Sequence, residues 1–322
     1  MADDPLTGFV RTLLGSEVPV LVLSPHLDDA VLSCGALLGW VGRRAPVTVA
    51  TLFTEAGPPP YTLAARRYLK RTHADDAAAL FAERRAEDRR VLGTLGVEPL
   101  HVGLVDGLFR RLPRTRTGMR RPARLLPEAD HVYPTNRLHL SRGSVSAHDA
   151  ETLRTVEETV AALLPGSSGG LVLAPLAVGG HADHVLVRTA AERSGRRIVY
   201  YSDFPYDQRA AADARFTDRH RLVPRVWERD LDRKAELIRG YRTQADALFP
   251  DGRIPRAPEV YLLPEADTNA WTGTEADGGT RTVATRPVRG LEPARGARAA
   301  GRVPSRGPAE VTAPPEVRDA RR

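Results

Sequence analysis

Five short apolar runs alternate along this chain with longer helix-like stretches, and that alternation limits the fold more than any other feature. The runs are Val18–Leu23, Val47–Phe53, Leu100–Val105, Leu171–Ala174 and Ile198–Tyr201. Between them lie Ala30–Val41, the Ala-rich charged stretch Ala74–Leu95 stopped by Gly96, Thr152–Leu164 stopped by Pro165-Gly166, and a segment starting at Asp183. Apolar runs of four to seven residues bounded by Pro or Gly read as buried strands, and the capped stretches read as helices. Strands alternating with helices predict an α/β fold: a Rossmann-like, mostly parallel sheet with helices on both faces. No internal repeat is visible.

The chain has 322 residues and a net charge of +7. From Arg281 to the end there are ten Arg against four acids, so +6 of that charge sits in the tail and the remainder is nearly neutral. Beyond Pro264 the sequence turns to Gly, Thr, Arg, Pro and Ala with no apolar period. This predicts one folded domain over residues 1–264 and a disordered Arg/Pro/Gly-rich tail over 265–322. Arg110 to Arg124 carries seven Arg and no acid, and reads as a basic surface loop. A single cysteine, Cys34, excludes an internal disulfide and a cysteine-only metal site; it lies on an apolar stretch and reads as packing. The apolar run at Val18 is too short to span a bilayer, and the acidic Met1-Ala2-Asp3-Asp4 start is unlike a secretory n-region. A cytoplasmic protein without a membrane span is expected.

Two polar motifs stand where a predicted strand hands over to a helix. The first is Pro25-His26-Leu27-Asp28-Asp29-Ala30; the second is Gly179-Gly180-His181-Ala182-Asp183-His184. In open α/β sheets ligands bind outside the carboxyl ends of the strands, so side chains remote in sequence converge there. Imidazole with carboxylate favours zinc or a similar first-row ion over magnesium or calcium. A catalytic zinc takes three protein ligands, and His26, Asp29 and His184 are candidates for them. Adjacent Asp28 and Asp29 do not readily point the same way, so one binds metal while its neighbour faces the water as a base. His181, three residues before His184, is placed to face substrate, and Asp183 to orient a histidine. Each motif alone is as well explained by a helix cap beside a surface histidine. Their joint placement after two strands is what favours a metal site.

At these residues the chain resembles the PIG-L / LmbE-like family of zinc-dependent N-deacetylases, whose pattern is Pro-His-Pro-Asp-Asp-Glu after the first strand and His-x-Asp-His later. The resemblance runs from about Val18 to about Pro264. It implies His26, Asp29 and His184 as Zn2+ ligands and Asp28 as general base. It implies His181 as the group that stabilises the oxyanion or protonates the leaving amine. Arg85 with Glu87-Asp88 looks like the family's Arg/Glu helix, Asp106 and Arg110 like its third-strand exit, and Tyr200 to Tyr206 like a late loop of the same group. Leu27 and Ala30 depart from the pattern, where Pro and Glu are usual. Some members carry a Tyr shortly before the second motif. Here Gly179-Gly180 stand instead, leaving Tyr133, Tyr201 or Tyr206 for any such role.

The function implied is hydrolysis of an N-acyl, chiefly N-acetyl, amide on a glucosamine-type sugar or glycoside, as in natural-product or thiol-cofactor biosynthesis. The expected partner is that small molecule, with no specific nucleic acid. Two rivals remain. A nucleic-acid-binding protein would use the Arg-rich tail, but that tail lacks interleaved aromatics beyond Trp271 at its start. A catalytically inactive sugar-binding relative would not need His26, Asp28, Asp29, His181 and His184 all intact.

Overall fold

The computed structural model describes residues 19–97, 99–113, 126–163 and 171–265. Most of the expected basic loop and, beyond Glu265, the expected tail lie outside these residues. The chain order is β1 (Val20–Ser24), α1 (Asp29–Val41), β2 (Val47–Glu55), α2 (Leu63–Arg71), α3 (Ala77–Gly93), β3 (Pro99–Val105), α4 (Ala150–Leu163), β4 (Leu171–Pro175), α5 (Ala182–Arg193) and β5 (Ile198–Tyr201). It continues with α6 (Ala214–Arg219), β6 (Leu222–Trp227), α7 (Leu231–Arg239), α8 (Arg242–Leu248) and β7 (Glu259–Pro264).

One seven-stranded sheet runs in the order β3-β2-β1-β4-β5-β7-β6. The five strands expected from the sequence are its parallel part. β7 pairs antiparallel with both β5 and β6 and extends one edge. Strand periodicity divides the core between the two faces. Val20 and Val22 of β1, Leu171 and Leu173 of β4, and Val199 and Tyr201 of β5 pack with α1, α3 and α7. Leu21 and Leu23, Val172 and Ala174, and Ile198 and Tyr200 face the other way, onto α4 and α5. With both faces covered, these strands read as continuous apolar runs rather than alternating ones.

After β1 the chain builds β2 and β3 on one side, then crosses back to place β4 and β5 on the other. The carboxyl ends of β1 and β4 therefore flank the topological switch point, where such a sheet opens a crevice. The first polar motif follows β1 and the second follows β4. A third apolar cluster lies at this edge and joins Leu27, Leu69, Phe81, Phe109, Tyr133 and Ala182. Leu27, one of the two departures from the family pattern, is fully buried there and anchors the loop between His26 and Asp28.

Candidate metal centre

Local hydrogen bonds shape the β1–α1 turn. The Ser24 hydroxyl donates to the His26 carbonyl (2.7 Å) and accepts the Ala30 amide (3.0 Å). The His26 amide donates to Asp29 Oδ2 (2.8 Å), which folds the Asp29 side chain back toward the sheet edge. Asp28 takes the N-cap position in extended backbone and makes no side-chain cap bond, so its carboxylate is free to face elsewhere. Across the crevice His181 caps α5, its Nδ1 accepting the Asp183 amide (3.3 Å).

Both motifs converge. His26 Nδ1 lies 3.0 Å and His184 Nε2 lies 3.2 Å from one oxygen, Asp29 Oδ2. The second nitrogen of each ring meets a buried carboxylate: His26 Nε2 faces Asp183 Oδ2 (3.1 Å) and His184 Nδ1 faces Asp203 Oδ1 (2.6 Å). A carboxylate only accepts, so these two partners fix the tautomers and leave Nδ1 of His26 and Nε2 of His184 for an ion. The carboxylates are themselves held. Asp183 accepts from the Gly107 amide (2.8 Å) and from the Arg110 guanidinium, and Asp203 accepts from the Val178 amide (2.8 Å). Glycine at 107 eases that approach: a Cβ there would sit 2.8 Å from Leu140 Cδ1 and 3.0 Å from Asp183 Oδ1, crowding both.

The electrostatics suit a cation. Burial opposes charge on both rings, but Asp106, Asp183 and Asp29 around His26 overcome it and raise its pKa well above the usual histidine value. Asp29 and Asp203 do the same to His184, pushing it up to about 10. The site is built to hold positive charge between these rings, and a divalent ion meets the same field as the ring protons. One donor atom from each of His26, Asp29 and His184 lies within 4.8 Å of the others. Two imidazoles with one carboxylate is a donor set for a first-row metal ion. Among the described residues a second such group, His26 with His181 and Asp183, shares His26. Its carboxylate is already taken by Gly107 and Arg110.

Three more groups face this centre. Asp28 is buried, its Oδ1 3.5 Å from Arg84 Nη2. Burial pushes its carboxyl up to about 6 against the pull of the Arg84 guanidinium. Asp106, just beyond β3, brings Oδ2 to 3.6 Å from His26 Nε2. The His181 ring is edge-on to His26, with centroids 4.9 Å apart, and burial with the neighbouring His26 lowers its pKa to about 3.

Against known proteins, residues 21–194 match the family model described as PIG-L, GlcNAc-PI de-N-acetylase. That is more than half of the chain. The chain belongs to the PIG-L family. A 2'-N-acetylparomamine deacetylase of Streptomyces fradiae is 36% identical over 215 residues, 63% of this chain and 64% of that relative's length. The chain thus spans somewhat under two thirds of the relative. Among solved structures, the zinc-inhibited form of a teicoplanin deacetylase aligns with TM-score 0.56 at 23% identity, covering 76% of this chain and 98% of its own. The A40926 pseudoaglycone deacetylase aligns with TM-score 0.52 at 23% identity, covering 76% and 96%. These two likenesses establish the α/β fold of the PIG-L chain.

Every residue singled out in the two motifs, His26, Asp28, Asp29, His181, Asp183 and His184, lies at this crevice, and Asp183 does meet a histidine. One expectation changes. Arg110 is not on a surface loop: it is buried and joins Asp183 to Asp149, whose Oδ2 also accepts from the Tyr133 hydroxyl (2.7 Å). The arginine of α3 that reaches the centre is Arg84, while Arg85 turns away to the Thr54 carbonyl and Glu55. Asp203 was missed as a partner of His184, although it follows β5 as the two motifs follow β1 and β4. The same strand-exit rule finds it. No helix among the described residues is long and apolar enough to cross a membrane.

Proposed function

We propose that this PIG-L chain is a zinc-dependent N-deacetylase that hydrolyses the N-acetyl amide of an aminosugar or its glycoside, of the kind found in aminoglycoside and glycopeptide natural products. The observation that carries the reading is the convergence of His26 Nδ1, Asp29 Oδ2 and His184 Nε2, with the buried carboxylate of the adjacent Asp28, paired with Arg84, outside that set. The 2'-N-acetylparomamine deacetylase relative supports the substrate class, because its named substrate is an acetylated aminosugar. His26, Asp29 and His184 would hold the ion. Bound there, zinc supplies Lewis acidity, polarising an amide carbonyl and making water a stronger acid.

Asp28 accepts the proton of the attacking water. A carboxyl held near 6 is matched to that task close to neutral pH. His181 stays neutral, and because its Nδ1 accepts the Asp183 amide, its proton sits on Nε2. It therefore offers an N–H donor to the oxygen that becomes negative in the transition state. A ring so reluctant to be charged is a poor source of a proton for the leaving amine. Asp28, carrying the water's proton, passes it to that nitrogen as the C–N bond breaks, and acetate and the free amine result. Acetate release from an N-acetylated aminosugar panel, with the metal removed and restored, tests the reading.

Asp203 and Asp183 act on the ion through the histidines. Asp203→Asn keeps the shape but weakens the hold on the His184 Nδ1 proton, and outer partners of this kind are worth roughly 10–100-fold in metal affinity. Competition with a chromophoric chelator should show a loss of that size in a folded protein. Unchanged affinity would remove Asp203 from the account.

A further inference from the structure

Of the large apolar side chains exposed among the described residues, Tyr206 is the aromatic one, at 43% exposure, and it stands at the mouth of the metal centre. Its ring is edge-to-face with the His184 ring, centroids 6.4 Å apart and planes at 89°. It opens a turn tied down on both sides: the Asp207 amide donates to the Asp203 carbonyl (3.1 Å), and the Arg209 and Ala210 amides donate to the Tyr206 carbonyl (3.0 and 2.9 Å). The turn that presents Tyr206 thus also carries Asp203, the partner of His184. Beneath the ring is Gly179, at φ +85°, where a Cβ would lie 3.4 Å from Tyr206 Cβ and 3.6 Å from Cγ. The positive φ at position 179 favours glycine, and the bare backbone there lies in ordinary contact range of the tyrosine. The Tyr206 hydroxyl makes no hydrogen bond to a described residue.

An exposed, firmly based aromatic ring beside a reacting centre offers its free face to a ligand that enters there. The residue is 43% exposed, while its hydroxyl end is desolvated by burial beside Asp29, Asp28 and Asp203, which holds its pKa above the usual tyrosine value. The C–H face of a pyranose is apolar and flat, its hydroxyls lie at the edge, and an aromatic ring with a polar tip matches both. We propose that Tyr206 is the platform on which the sugar ring of the substrate packs, so that it selects a cyclic aminosugar over an acyclic N-acetyl amine. This rests on the deacetylase reading above. The platform binds sugar equally in the ground and transition states, so its loss shows in KM more than in kcat.

The test uses the zinc-loaded full chain and its Tyr206→Phe and Tyr206→Ala variants. Binding, by calorimetry, and initial rates are measured with the methyl glycoside of N-acetylglucosamine and with N-acetylethanolamine as a ring-less control. Tyr206→Ala is expected to weaken glycoside binding and raise its KM by about three- to tenfold with kcat little changed, and to leave the control unaltered. Tyr206→Phe is expected to rescue most of the loss, with zinc content the same in all three. Two results overturn the platform: an alanine variant that binds the glycoside like wild type, or a phenylalanine variant as impaired as alanine. If wild type binds the glycoside but releases no acetate, the hydrolytic reading fails while the binding arm still decides the platform. If wild type neither binds nor hydrolyses it, both fall.

Discussion

Replacing Asp28 by asparagine is expected to leave bound metal nearly unchanged and to slow turnover by roughly 10²–10⁴. Asp28 and Asp29 are neighbours in sequence but not in role. Asp29 Oδ2 is turned inward by the His26 amide and meets both candidate imidazoles. Asp28 instead lies toward Arg84 on α3, 3.5 Å from that guanidinium. Arg84 is fixed in turn by donating to the Tyr68 hydroxyl (3.1 Å). Asparagine preserves the shape of Asp28 but accepts no proton. Asp29→Asn, by contrast, is expected to weaken metal binding as well as rate. The pair is best assayed side by side for zinc content and turnover. If Asp28→Asn loses zinc while Asp29→Asn keeps it, the two roles are exchanged; if neither slows hydrolysis, the chemistry lies elsewhere.

His184→Ala is expected to reduce bound zinc from about one equivalent per chain to near zero and to abolish hydrolysis. The histidine offers Nε2 to the centre and gives Nδ1 to Asp203, so its removal takes away one of three ligands. It also leaves Asp203 buried without its imidazole, and breaking a buried pair costs about 3–5 kcal/mol. The variant should therefore melt at a lower temperature even without metal, and circular dichroism is needed to confirm that it is folded before its zinc is counted. A folded His184→Ala protein with full zinc would overturn the ligand set.

The parts of this fold legible in the sequence are those with one simple cause. β1, β4 and β5 are buried on both faces and appear as unbroken apolar runs. The helices α1, α3, α4 and α5 between them end at Gly or Pro, or close to one. The missed elements carry charge where a core position is expected. β7 opens with Glu259, buried and accepting from the Ala36 and Leu37 amides and the Tyr261 hydroxyl, and it faces Lys234 of α7 at 3.6 Å. Each charge reads as a surface residue until the other is known, so β7 and α7 are not apparent. β6, with Pro224 and Arg225 in its middle, is an edge strand that only its pairing with β7 defines. α2 is short and rich in Arg and Lys, and only Ala65 and Leu69 are buried.

The site divides in the same way into parts that the sequence shows and parts that it hides. Both motifs are legible because each concentrates ligand-type side chains in a span of four residues, 26–29 and 181–184, beyond a strand end. Arg110 stands in a stretch whose composition reads as a basic surface loop, and composition does not reveal that its guanidinium turns inward to Asp183 and Asp149. Tyr206 belongs to the late loop that the resemblance picks out, but only the folded crevice sets it against Gly179 and the His184 ring.

The claim on which all of this depends is that the convergence of His26, Asp29 and His184 makes a hydrolytic metal centre acting on acetylated aminosugars. Acetate release by the purified full-length chain, measured across a panel of N-acetylated aminosugar glycosides before chelation, after chelation and after zinc is restored, tests it most directly. The account predicts release from at least one glycoside, its loss on chelation and its recovery with zinc. Release that persists through complete removal of metal, or no release from any member of the panel by the zinc-loaded protein, would contradict it.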